Sequence, residues 1–85
     1  MTYNEIVENV YKDVILLAKT LYREHRVFSL NEVIAWINKR HPKLPSPYVT
    51  FNGVLQAAYD RAKDDEAREA IMTVFTKQDG SNAWQ

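Results

Sequence analysis

Lys39, Arg40 and Lys43, set about His41, form the densest positive charge in the chain: residues 27–47 hold these three cations against Glu32 alone. Ammonium and guanidinium groups placed between the end of one helix and the start of the next suit phosphate oxygens, because amide donors and the helix dipole act there in the same direction. Cations at a helix C-terminus are also favoured by the dipole alone, at about 0.3–1 kcal/mol each, so two of the three need no ligand to account for them. Eleven basic and eleven acidic residues cancel over the whole chain, which removes long-range attraction to a polyanion and leaves only this local concentration. Residues 48–85 lean the other way, towards acid.

Catalytic chemistry finds little to work with. His25 and His41 lack metal-site spacing, no glycine-rich phosphate loop occurs, no serine has a nucleophile context, and cysteine is absent. The expectation is a binding protein with no metal and no cofactor. The absence of cysteine fits a reducing compartment, no apolar run approaches the ~20 residues of a membrane span, and no basic-then-apolar leader opens the sequence; a cytoplasmic, membrane-free chain is expected. Its 85 residues, 46% of them hydrophobic, correspond to one domain of residues 1–85 with an ample core.

The elements that would position the cations follow from capping and apolar period. Thr2-Tyr3-Asn4-Glu5 reads as a capping box opening a helix near Tyr3, and Ile6, Val7, Val10, Val14, Leu17, Ala18 and Leu21 recur on one face to about Arg23. Tyr11, Ile15 and Tyr22 widen that arc beyond one core contact, so they either pack under the wing or the chain termini or form a dimer contact. Ser29-Leu30-Asn31-Glu32 is a second capping box with Phe28 as a hydrophobic staple; it starts a short helix from Asn31 to about Arg40, ended by His41-Pro42. Val27-Phe28 is β-prone and short.

Three prolines from Pro42 to Pro47 make the next connection stiff. A third helix starts at Pro47, capped by Ser46, or one turn later at Thr50, and buries Phe51, Val54, Leu55, Ala58, Tyr59 and Ala62. Lys63 to Glu69, with four acids and no strong apolar period, reads as a frayed end or solvated connection. Ile71 to Thr76 is β-branched and aromatic, and Asp79-Gly80 marks a hairpin. A two-residue turn sets Phe75 opposite Trp84, whereas a three- to five-residue loop with glycine in the left-handed region shifts the register.

Helix, β segment, helix, turn, helix and β-hairpin in this order resembles the winged helix-turn-helix superfamily, over essentially the whole chain and by topology rather than by a diagnostic motif. The resemblance implies a mainly α, small α+β fold of three helices with a C-terminal β-hairpin. It also implies double-stranded DNA binding by a small transcriptional regulator or accessory factor. On that resemblance the helix from about Pro47 to Ala62 is the recognition helix. Thr50, Asn52 and Gln56 then face base edges across Gly53, with Ser46, Lys39, Arg40 and Lys43 near phosphate and Lys77 on the wing. The rival expectation is a protein-interaction module on the same scaffold, using Tyr11, Ile15, Tyr22 or Leu16 and the acidic stretch; a homodimer through the first helix is expected on the DNA reading.

Overall fold

A computed structural model describes residues 3–42 and 51–84, without the side chains of Tyr3, Phe51 and Asn52. Helix α1 spans Tyr3–Arg23, as its apolar period requires, and sinks Val10, Val14, Ala18 and Leu21 to within 2% of complete burial. Its end is closed by a Schellman motif: the Arg26 N–H donates to the Leu21 carbonyl at 2.9 Å and the His25 N–H to the Tyr22 carbonyl at 3.3 Å. His25 occupies the left-handed position of that motif, with φ 56°, where glycine is the usual residue.

Strand β1 is the pair Phe28–Ser29, and helix α2 follows at Leu30–Arg40. Ser29 caps it as the sequence predicts: its Oγ accepts from the Glu32 N–H at 3.4 Å and stands 3.2 Å from Glu32 Oε1. The helix stops at His41, whose φ of −128° and ψ of 66° leave the helical region in front of Pro42. Helix α3, Phe51–Arg61, buries Val54, Leu55 and Ala58, with Ala62 just beyond it. The capping residue Thr2, and the alternative starts of this helix at Pro47 and Thr50, lie outside the described residues.

The C-terminal third departs from expectation. A fourth helix, α4, runs Asp65–Val74, so the described residues hold four helices where three were expected; the mainly α class stands. Lys63 to Glu69 is therefore no frayed connection: Asp64 is an N-cap whose carboxylate accepts the Ala67 N–H at 2.7 Å, and Asp65 to Glu69 are the first turns of α4. Ile71 to Val74 is helical rather than extended. Ala67, Ala70, Ile71 and Val74 fall at i, i+3, i+4 and i+7, all at most 1% exposed, and burying that stripe outweighs the β preference of the branched residues.

Only Phe75–Thr76 forms a strand, β2, and it pairs with β1 in parallel, Phe28 with Phe75 and Ser29 with Thr76. The expected hairpin shrinks to one antiparallel bridge, Thr76 with Asn82. The chain does reverse at Asp79-Gly80, where Gly80 has φ 87° and Asp79 Oδ1 accepts from the Ser81 N–H at 2.9 Å. The longer of the two expected loops is the one formed. Register follows from it: the Ala83 N–H donates to the Phe75 carbonyl at 2.9 Å, so Trp84 is not opposite Phe75 and instead stacks on Tyr59, 4.7 Å between ring centroids. Asn82 Nδ2 donates to the Met72 carbonyl at 2.7 Å and holds the tail against α4.

α1 packs most extensively on α4 and next on α3, and Val33 and Ile37 of α2 join the same core. Ile71→Ala should cost about 2–5 kcal/mol in urea unfolding, the range for emptying a fully buried aliphatic site. His25→Gly should raise stability by about 1 kcal/mol, since it relieves a left-handed residue that carries a Cβ. Asp64 titrates below the usual carboxylate range, chiefly through the Ala67 amide and then Lys19. A depressed carboxyl contributes stability above the ordinary aspartate range and loses it on acidification, so Asp64→Asn, which keeps a capping oxygen, should shallow the acid limb of a stability profile.

Candidate partner-binding surfaces

The expected phosphate cluster sits at the end of α2 and is tied back to α1. His41 Nε2 lies 2.7 Å from Asp13 Oδ2, and Arg40 Nε lies 3.5 Å from the same oxygen. The Asp13 and His41 side chains keep 22% and 16% exposure, so one carboxylate faces both the imidazole and the guanidinium from a half-sheltered position. The Arg40 guanidinium also lies over the Trp36 ring at 5.0 Å. Lys39 is exposed and makes no ion pair among the described residues. Lys43, Ser46 and Thr50 lie outside the described residues, and so does the side chain of Asn52, which belongs to the first turn of α3.

On α3, Gly53 and Gln56 are exposed, and Gln56 Nε2 donates to Asp60 Oδ1 at 2.9 Å. Arg61 closes the helix with a fork onto Glu8 of α1, Nε to Oε2 at 2.8 Å and Nη2 to Oε1 at 2.7 Å. That hydrogen-bonded pairing holds the Glu8 carboxyl below its ordinary range and raises the Arg61 guanidinium. Lys77 is exposed on the terminal loop, close to Asp79. Cations elsewhere are matched as well: Lys19 reaches Asp64 at 3.4 Å, Arg23 reaches Glu66 at 2.7 Å, Arg26 reaches Glu24 at 3.2 Å and Arg68 reaches Asp65 at 3.8 Å. Most arginines of the described residues are thus matched by a carboxylate.

The three residues expected at a dimer contact are occupied within the chain. Tyr11 lies under the Arg61 guanidinium, 4.4 Å from its ring centroid, and Ile15 and Tyr22 pack against the core. These contacts leave all three half-buried, and Tyr11 lies against α3 rather than under the wing. Among the described residues, Leu16 and Val27 are the large apolar side chains left in solvent, 63% and 58% exposed.

Val27 borders a cleft of about 340 Å³ where the end of α1 meets α4. Leu21 and Val74, each 1% exposed, form its floor. Tyr22 and Thr73 stand beside them, and His25 and Arg26 complete the rim. Sequence reasoning missed the cleft because α4, one of its two walls, was read as a strand. Arg26 also reaches the Phe28 ring, at 5.8 Å, so the guanidinium is held beside β1. No three His, Cys, Asp or Glu side chains converge as metal ligands among the described residues, and no described helix is long and apolar enough to cross a membrane. No protein-family model matches the chain, and no curated protein or solved structure matches it at a significant level.

Proposed function

We propose that the chain is a non-enzymatic protein-interaction module that holds a partner polypeptide on the α1–α4 side of the fold. The observation that carries this reading is Val27, 58% exposed at the mouth of an apolar cleft. An isolated surface valine is unremarkable in a soluble protein, but one continuous with a cleft floored by Leu21 and Val74 offers a partner side chain somewhere to be buried, at about 25 cal/mol per Å² of apolar area. The pairing of Lys19, Arg23, Arg40, Arg61 and Arg68 with carboxylates supports the same reading, since these cations are matched internally rather than left for phosphate. With Tyr11, Ile15 and Tyr22 occupied, the free chain is a monomer on this reading, and sedimentation at rising concentration should show a single unassociated species.

Double-stranded DNA binding by a winged-helix-like regulator is the second reading. It is favoured by Lys39 and Arg40, exposed at the end of α2, and by the polar outer side of α3 at Gly53 and Gln56. Fluorescence anisotropy with a mixed-sequence duplex at low salt separates the two. The interaction-module reading expects no salt-sensitive binding. The DNA reading expects log K to fall with log salt at a slope of about −0.9 per phosphate contact, shallower by about one contact for each of Lys39→Ala and Arg40→Ala. Selection from a display library of short random peptides gives the positive arm: enriched peptides should perturb amides of α1 and α4. Absence of any enriched peptide overturns the proposal, and salt-dependent duplex binding then favours the DNA reading.

A further inference from the structure

We infer that the cleft between the end of α1 and α4 takes an apolar segment of another polypeptide that carries a carboxylate, with Arg26 and His25 as its rim donors. This deepens the interaction-module reading and rests on it. The charge of the lining argues for an acidic occupant: its ionisable side chains are an arginine, a histidine and the phenol of Tyr22, and no carboxylate faces it. Arg26 is available to a ligand. Its ion pair with Glu24 joins two residues of one exposed turn, at 59% and 49% side-chain exposure, and pairs of that kind hold their geometry weakly, so the guanidinium can turn to an incoming carboxylate. Stacking near Phe28 keeps it beside the cleft while it does so.

His25 is the second observation. It sits at the left-handed position closing α1, with φ 56°, where a glycine would relieve the strain and remove the side chain. Instead an imidazole stands at the rim of the cleft, able to donate a ring N–H to the same anionic group. Cleft size limits the occupant: about 340 Å³ lies at the small end for binding sites, which suits a few side chains of a short segment and a weak, reversible contact rather than a permanent interface.

A second copy of the chain fits poorly. Its exposed Leu16 is flanked on the helix by Lys12, and the nearby Asp13 is already engaged by His41 and Arg40, so docking Leu16 would bring a cation rather than a free carboxylate to Arg26. The acids of α4 are no better, because Asp65, Glu66 and Glu69 are interleaved with Ala67 and Ala70, which are buried. These features favour a different polypeptide as occupant over the described segments of a second copy.

The test uses the whole chain against displayed random peptides, followed by amide shift mapping and titration of the best binder as a synthetic peptide. Enriched peptides should combine Leu, Ile or Phe with Asp or Glu and shift amides of residues 21–27 and 73–74. Arg26→Glu should weaken that peptide by about tenfold or more, and a peptide with its acid changed to lysine should recover affinity for the variant. Thr73→Trp, on the exposed side of α4, should obstruct the cleft without changing its charge, and circular dichroism of both variants checks that they fold. Peptides lacking acids, or binding unchanged by either folded variant, overturn the proposal. If such peptides shift the Leu16 side of α1 instead, the interaction-module reading survives and the cleft assignment fails; if no peptide is enriched, both fail.

Discussion

Burial of one stripe along α1 is the constraint on which the other elements depend. Val10, Val14, Ala18 and Leu21 must all be covered, and a single helix cannot cover them, so α3 and α4 lie against the same wall. Alanines make this geometry available: Ala58, Ala62, Ala67 and Ala70 present almost no bulk at the contact, and each is at most 3% exposed. The charged pairs lie outside this seam, Lys19 and Arg23 from α1 meeting Asp64 and Glu66 at the start of α4. Exposed pairs of this type contribute little to stability, and their main effect is to favour one orientation of α4 over its alternatives.

Local signals in the sequence were read well where the chain's own neighbours decide the outcome. The span of α1, the Ser29 cap, the stop at His41-Pro42, the inner stripe of α3 and the reversal at Asp79-Gly80 each depend on residues within a few positions of one another. α4 was missed because its two halves sent different messages. Asp64 to Glu69 looked solvated for want of large apolar residues, and Ile71 to Thr76 looked extended for its branched ones. Joined across Ala67 and Ala70, they make a regular amphipathic helix, and counting alanine as a buried residue would have exposed the period.

The partner surfaces were less legible for a different reason. Glu8 with Arg61 and Asp13 with His41 join residues far apart in sequence, and nothing in their spacing indicates that they meet. Their pairing changes the meaning of single basic residues more than any local feature does: Arg40, which reads as open positive charge along the chain, joins His41 in bracing a corner between α1 and α2. The apolar residues behave the opposite way. Tyr11 and Ile15, candidates for contact with a second molecule, are half-buried by their own fold, while Tyr22 stands beside a cleft that forms where α4 completes α1.

The parallel pairing of Phe28 with Phe75 carries a kinetic consequence. More than half of the chain lies between these two partners, including α2, α3 and α4, so the small sheet cannot close until those helices have come together. Helices can flicker early, but the contact joining the two ends of the crossover has to form late, after most of the loop-closure entropy has been lost. Assembly of this domain is therefore expected to be cooperative, and a fragment ending before Phe75 would lack the step that locks the rest.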